Sequence, residues 1–327
     1  MIAMKIPHAP ILAAILLLSI AANTQPTPAK VDVLDLHHLP LGDGRLSDHA
    51  QAGYVFSCQQ HFSANAPGAR VVGPWIHSDP IHGNTWDLTQ KISAQGRVQW
   101  PNAQFKIATT TDGRVVSRIL TGNGLPVDTP TGTFPIASTD PAAQIDRNPN
   151  SIQEQKVALT LPLQPVEAAQ PSCVPMGMIG VALNGVAIFN AFDAGGRDAV
   201  AHEVQDLCSG HPEMSGEYHY HGPSPCLPGE TGNEILVGYA LDGFGIYSIY
   251  DAEGHELTDA ALDACHGRTS EVLWDGKRQA MYHYVLTREY PYTIACFRGT
   301  PVSVPRKGPP RGRGFGQPPG FGPPPGR

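Results

Sequence analysis

Short runs of β-branched and aromatic residues recur through the first half of the chain, separated by Gly, Pro, Asn and Asp. This pattern predicts strands at 53–58, 71–76, 97–100, 105–110 and 157–161. A helical pattern is confined to 198–210 and 258–267, and each stretch begins with a capping residue and ends at a glycine. We therefore predict a mainly β fold with short helices, of the α+β class.

The longer helical stretch, 198–210, predicts one buried and one exposed face. Its buried face would carry Val200, Val204, Leu207 and Cys208. His202 and Asp206 would form a solvated pair, one turn apart, on the exposed face.

The N-terminal 22 residues have the pattern of a secretory signal peptide. Lys5 precedes an apolar run from residue 11 to residue 20, and small residues follow it. The run is too short to span a bilayer, and no later stretch resembles a transmembrane helix, so no membrane span is expected. We expect the mature protein to be secreted or periplasmic.

The C-terminal segment 301–327 consists almost entirely of Pro, Gly and Arg, so it predicts a disordered basic tail. The whole chain has a formal net charge of −7. This balance gives no reason to expect nucleic acid as a partner.

Residues 218–221 read Tyr-His-Tyr-His. Because successive strand residues point to opposite faces, both imidazoles would share one face and both phenols the other. The pattern returns as Tyr-His-Tyr at 282–284, and Asn-Gly at 184–185 recurs as Asp-Gly 58 residues later. The C-terminal half is therefore predicted to be a pseudo-symmetric internal repeat, with the tyrosines facing the core and their hydroxyls bonded to buried acceptors.

Six cysteines in an exported chain favour disulfides, and six allow 15 pairings. Metal-ligating thiolates are the alternative, but the CxxC spacing that would support them does not occur. The repeat narrows the choice, because one pair of cysteines brackets each histidine motif. The predicted disulfides are Cys208–Cys226, Cys265–Cys296 and Cys58–Cys173.

The histidine strand also predicts a metal site. Glu217, His219 and His221 would share one strand face, and a carboxylate with two imidazoles suits Zn, Cu, Ni or Fe. Further ligands would come from His283, His211 or His266. We expect a Cu or Zn ion as the cofactor.

Two other interpretations fit the same residues. The histidines would instead hydrogen-bond to carbonyl and carboxylate oxygens and join strands without a metal. Alternatively, the chain would bind a cell-envelope polymer or glycan by stacking on Trp75, Trp86 and Trp100. The sequence contains no nucleophile elbow, zinc-protease helix or phosphate-binding loop, so it assigns no reaction and does not decide whether the protein is an enzyme.

Taken together, these motifs resemble the YHYH domain family of exported proteins. The resemblance implies a YHYH-type domain over 30–300, with a β-rich part at about 30–170 and a duplicated histidine-motif part at about 171–300. The family is defined by its motif, so the resemblance implies no settled activity. The segments that carry it are 122–126, 146–152, 173–177, 182–186, 210–212, 218–221, 238–243, 290–292 and 296–299.

The second half departs from the family pattern at two positions. Arg268 and Val285 stand where similar proteins carry histidines. If a metal site needs both halves, this chain is expected to bind the metal more weakly or not at all.

Overall fold

An eight-stranded mixed sheet is the largest element of the structure, a computed structural model that describes residues 34–304 except 64, 67, 70, 82 and 229–232. Its strands are β9 (Met178–Ala182), β10 (Ala187–Phe189), β11 (Gly210–Pro212), β12 (Tyr218–Tyr220), β13 (Leu236–Ala240), β14 (Gly245–Tyr247), β15 (Gly267–Trp274) and β16 (Lys277–Val285). The predicted signal peptide lies outside the described residues, as does the predicted tail from residue 305 onward.

The strand order in this sheet is β11-β12-β10-β9-β13-β14-β16-β15. The two central strands, β9 and β13, pair antiparallel, with Val181 opposite Tyr239. On one side β10 pairs parallel with β12, and on the other side β14 pairs parallel with β16. The order and direction of the strands are therefore the same on both sides of the central pair.

Smaller sheets precede the large one in the chain. They have the strand orders β1-β5-β4, β2-β3 and β6-β7-β8. Their strands are β1 (Leu39–Pro40), β2 (Leu46–Ser47), β3 (Val55–Phe56), β4 (Ile76–His77), β5 (Thr85–Trp86), β6 (Phe105–Asp112), β7 (Val115–Gly122) and β8 (Val157–Pro162). In β8, buried and exposed residues alternate, which is the pattern of a strand with one face on the core.

Three of the five predicted strands, 53–58, 105–110 and 157–161, overlap β3, β6 and β8. The stretch 71–76 is a strand only at its end, in β4, and 97–100 contributes a single bridge between Val98 and Thr131. β7 was not predicted. The architecture is mainly β, as expected.

Both helical predictions were too long. The first stretch contains α1 (Ala199–His202), and the second contains a 3-10 turn (Asp259–Ala261). A further 3-10 turn lies at Pro141–Gln144. α1 stops because Glu203 is extended, with φ −84° and ψ 143°, while the Asp146 carboxylate accepts a hydrogen bond from the Val204 N–H at 3.1 Å. A long-range bond thus replaces the next helical turn.

The predicted faces of this stretch were therefore wrong as well. Leu207 is 66 % exposed instead of buried. His202 and Asp206 are buried instead of solvated, and they have different partners. His202 Nε2 lies 2.9 Å from an Asp43 carboxylate oxygen, whereas Asp206 accepts hydrogen bonds from the turn that leads into β11.

The tyrosines of both motifs face the core, as predicted, and the hydroxyls of Tyr218, Tyr220 and Tyr284 have buried partners. Tyr218 donates to Asp206 at 2.9 Å and Tyr284 donates to Asp242 at 2.6 Å. Tyr220 accepts from the Asn184 amide at 3.0 Å. Each side chain therefore buries a ring without leaving its hydroxyl unsatisfied.

All three predicted disulfides, Cys58–Cys173, Cys208–Cys226 and Cys265–Cys296, are present. Trp75 and Trp86 are core residues, each 1 % exposed, so neither offers a stacking surface. Trp100 is partly exposed and donates its indole N–H to Thr131. The helices of the described residues are all too short to cross a membrane.

We expect Tyr284→Phe to lower the free energy of unfolding by about 2 kcal/mol, because a buried hydrogen bond to a carboxylate contributes about 1.5–3 kcal/mol. Urea unfolding followed by fluorescence would measure the change. The partly exposed Tyr250 supplies the control, Tyr250→Phe. Equal effects of the two substitutions would contradict a specific role for the bond between Tyr284 and Asp242.

Candidate metal centre

Strands β11 and β12 bring three histidines together. His211 on β11 lies opposite His219 on β12, and His221 directly follows β12 on the same face as His219. Ring nitrogens of all three lie within 4.8 Å of one another, and Nε2 of His219 is 3.0 Å from Nε2 of His221. All three residues are at most 4 % exposed.

The second ring nitrogen of two of these histidines is held by the backbone. His219 Nδ1 lies 2.9 Å from the carbonyl oxygen of Glu217, and His221 Nδ1 lies 2.5 Å from that of Asn190. Because a carbonyl oxygen only accepts, both Nδ1 atoms carry the proton and donate it. In the neutral rings both Nε2 atoms then present lone pairs, and these face each other across 3.0 Å without a hydrogen between them.

Glu203 adds a carboxylate to the cluster. Its Oε2 atom lies 3.5 Å from Nε2 of His211 and 3.5 Å from Nε2 of His221. Glu203 was not predicted as a ligand, because it lies inside the stretch 198–210 that was predicted to be a helix. One signal was present: the residue 57 positions later, the same spacing that relates Asp206 to Asp263, is Ala260, so this position carries an acid only in the half with the complete histidine motif.

Burial keeps the histidines neutral. It lowers the pKa of His219 to about 4. Burial, together with the neighbouring His219, lowers the pKa of His221 to about 3, and burial also holds the pKa of His211 well below its usual value. Neutral imidazole is the form that binds a metal.

The carboxyl group of Glu203 shifts in the opposite direction. Its pKa is raised well above the usual value, first by burial and then by the nearby carboxylates Asp193 and Asp146. A cation beside Glu203 would favour its ionised form. The cluster therefore combines three neutral nitrogen ligands with an acid that a positive charge would stabilise.

The ring of Phe189 closes one side of the cluster. It stacks on His219 with ring centroids 3.9 Å apart and an interplanar angle of 20°. On the other side, His211 Nδ1 is 3.4 Å from the Asn148 side-chain amide. Within the described part of the chain, His211 Nε2 has no hydrogen-bond partner. The nitrogen that faces the cluster is thus free to bind a ligand.

The other predicted ligands lie elsewhere or contribute differently. Glu217 provides the backbone carbonyl that orients His219. Among the described residues, the group of ligand atoms within 4.8 Å of one another at this site contains the three histidines alone, and Glu203 is the acid that lies 3.5 Å from two of them. His266 Nε2 lies 3.0 Å from both Asp259 and the Thr287 hydroxyl. The structure thus brings together His211, His219 and His221 from the predicted set.

His283, the remaining predicted ligand, lies on β16 in the other half of the sheet. Arg268 on β15 stands opposite it, as His211 stands opposite His219. Arg268 Nη2 bonds to Glu234 Oε1 at 3.0 Å, and that oxygen is 3.9 Å from His283 Nε2. An ion pair therefore occupies this position of the second half.

The fold and the cluster together define a disulfide-linked, mainly β protein with a buried histidine–carboxylate centre. Residues 158–260 match the model of the family described as YHYH protein, which identifies this segment as a YHYH domain and confirms the predicted resemblance there. The match includes the complete motif at 218–221 and ends before the second motif at 282–284. No curated protein and no solved structure matches the chain.

We expect long-range proton–nitrogen NMR of the metal-free protein at neutral pH to show His219 and His221 protonated at Nδ1 and unprotonated at Nε2. The physical reason is that Nδ1 of each ring faces a backbone carbonyl oxygen. The exposed His77 serves as an internal control, because a solvated ring samples both tautomers. A protonated Nε2 on both rings would contradict the assigned orientation.

Proposed function

We propose that this YHYH domain binds one transition-metal ion, Cu or Zn, through His211, His219, His221 and Glu203. The observation that carries the proposal is the pair of Nε2 lone pairs 3.0 Å apart in a buried site. Two lone pairs at that distance repel each other unless a cation lies between them. Bonds of about 2.0 Å, typical of zinc and imidazole nitrogen, would reach a common centre from both atoms.

The ligand set supports a transition metal over calcium or magnesium. Imidazole suits Zn, Cu, Fe and Ni, whereas the hard cations prefer oxygen ligands. Backbone carbonyls orient two of the three rings, as is usual for the outer shell of metal-bound histidines. The acid Glu203 supplies negative charge to balance the ion.

A closed, four-ligand site supports metal storage, delivery or structural stabilisation more than catalysis. Catalytic sites generally keep a ligand position open to water or substrate. Here three histidines and one carboxylate would complete a tetrahedral set, and the histidines are at most 4 % exposed. We therefore propose a metal carrier or metal-stabilised domain.

The alternative of hydrogen-bonded histidines without a metal accounts for the Nδ1 atoms only. It leaves the two Nε2 atoms 3.0 Å apart, and it leaves His211 Nε2 without a hydrogen bond among the described residues, with Glu203 Oε2 at 3.5 Å as its nearest acidic neighbour. Glycan binding through tryptophan stacking has less support, because Trp75 and Trp86 are core residues.

We further propose that the two halves of the large sheet are an internal repeat. Support comes from the equal strand order on both sides of β9 and β13 and from the equivalent pairings of His211 with His219 and Arg268 with His283. In the second half the guanidinium group supplies the positive charge beside Glu234. Because Arg268 takes the place of a cation in the second half, we expect the chain to bind one metal ion, in the first half.

Export of the protein is also proposed. The predicted signal peptide at residues 1–22 motivates it, and three disulfides support it, since disulfides persist mainly in oxidising compartments.

Metal content measured by mass spectrometry tests the metal proposal, with untagged protein dialysed against Zn or Cu. We expect about one ion per chain, lost in the double variant His219→Ala/His221→Ala and weakened in Glu203→Gln. A metal at about 100 times its Kd would also raise the free energy of unfolding by about 2.7 kcal/mol.

The matched control for this test is His283→Ala, which removes the equivalent histidine of the second motif. It should retain the ion. Metal content that falls equally in His283→Ala and in the double variant would overturn the assigned site, as would a parent protein that binds neither metal.

A test of export uses the full chain expressed in a host with an oxidising export compartment. We expect the recovered protein to begin near residue 23 and to show the three disulfides by non-reducing peptide mapping. Retention of the first 22 residues would contradict the predicted cleavage.

A further inference from the structure

The structure has a cavity whose lining includes none of the residues of the histidine cluster. It has a volume of about 440 Å³ and is bordered by the segments around β1, β2, β3 and β5. Its polar lining residues are Asp43, Arg45, Tyr54, Asn84 and Thr85. Cavities of this size hold small organic ligands when a few polar groups converge in them. We call this cavity the Asp43 cleft.

The carboxylate of Asp43 is fixed before any ligand arrives. Its Oδ1 atom accepts the backbone N–H of Asp198 at 2.9 Å, and its Oδ2 atom lies 2.9 Å from Nε2 of the buried His202. The Asp43 side chain is nevertheless 33 % exposed. Each carboxylate oxygen can accept two hydrogen bonds, so Asp43 keeps acceptor capacity for a ligand.

The backbone beneath the cleft is equally constrained. The Gly42 N–H donates to the buried Asp198 carboxylate at 2.9 Å, and the Tyr292 hydroxyl donates to the same group at 2.7 Å. Gly42 also packs directly on the ring of Tyr290, where a Cβ atom would lie 2.0 Å from a ring carbon. Because the backbone next to Asp43 is held in place, Asp43 loses little conformational entropy when it binds a ligand.

The remaining lining groups complement this carboxylate. Arg45 donates through its guanidinium, Asn84 both donates and accepts, and Thr85 offers a hydroxyl. The ring of Tyr54 adds an amphipathic surface. The lining thus carries one negative and one positive side chain, so it complements a neutral ligand with many hydrogen-bonding groups better than an anion or a cation.

We propose that the Asp43 cleft is a binding site for a saccharide. Vicinal hydroxyls both donate and accept, so they match the planar carboxylate, amide and guanidinium groups of the lining, while a sugar ring face can pack on Tyr54. The proposal is independent of the metal centre. It also assigns glycan recognition to a surface cleft instead of to the buried tryptophans.

Saturation-transfer NMR and calorimetry on the intact protein test this site. The probes are glucose, galactose, mannose, N-acetylglucosamine and β-linked disaccharides built from them, with glycine, glutamate and inorganic phosphate as charged comparisons. We expect at least one saccharide to bind with a Kd on the order of 1 mM or tighter.

Two variants locate the binding. Asn84→Ala and Asp43→Asn should each weaken it by about tenfold, the loss expected for one hydrogen bond to the ligand. Asn84 is exposed, so its substitution keeps the fold intact even if Asp43→Asn disturbs the contact with His202. The matched control is Asp48→Asn, an exposed carboxylate in the segment between β2 and β3.

The proposal is overturned if none of the saccharides binds, if Asn84→Ala binds as tightly as the parent, or if Asp48→Asn weakens binding as much as Asp43→Asn. Binding of glutamate or phosphate, without binding of any saccharide, would also overturn it, because the cleft would then recognise charged ligands instead of neutral ones.

Discussion

Two carboxylates, the buried Asp206 and the more exposed Asp263, each tie a tight turn to the tyrosine of a neighbouring strand. Asp206 accepts from the N–H groups of Cys208 and Gly210 and from the Tyr218 hydroxyl. An isolated buried carboxylate would cost several kcal/mol, and this set of donors offsets that cost. Burial raises the pKa of Asp206 above its usual value, and the hydrogen bonds from these donors act in the opposite direction.

Asp263 has the corresponding donors in the second half, namely Cys265, Gly267 and Tyr282. In both halves a disulfide cysteine sits within the turn and a glycine begins the following strand. The carboxylate therefore fixes three things at once: the turn, the start of β11 or β15, and the face of the adjacent strand that carries tyrosine. Since strand faces alternate, fixing the tyrosines on one face places His219, or His283, on the other.

This alternation explains why part of the site could be predicted. The face of His219 and His221 follows from strand periodicity, and the disulfide pairing follows from the spacing of the cysteines around each motif. Glu203 could not be predicted in the same way, because its direction depends on the long-range bond from Val204 N–H to Asp146, which ends α1. Local helix signals at 198–210 carry no information about a partner more than fifty residues earlier.

The two halves of the large sheet differ in their histidines, and this difference bears on the role of the histidines. The second half has its own turn carboxylate, two motif tyrosines and a disulfide, and in the proposed repeat Arg268 and Val285 correspond to His211 and His221. The frame of strands and turns thus forms without those two imidazoles. Folding alone is therefore an insufficient reason for three histidines and an acid to converge in the first half.

The two halves also differ in their electrostatics. In the first half the Nε2 lone pairs of His219 and His221 face each other at 3.0 Å, whereas in the second half the Arg268 guanidinium forms an ion pair with Glu234. In the first half Lys91 and Arg197 act on Glu203 without forming an ion pair with it among the described contacts, and a bound metal ion would supply the direct positive charge that the second half obtains from arginine.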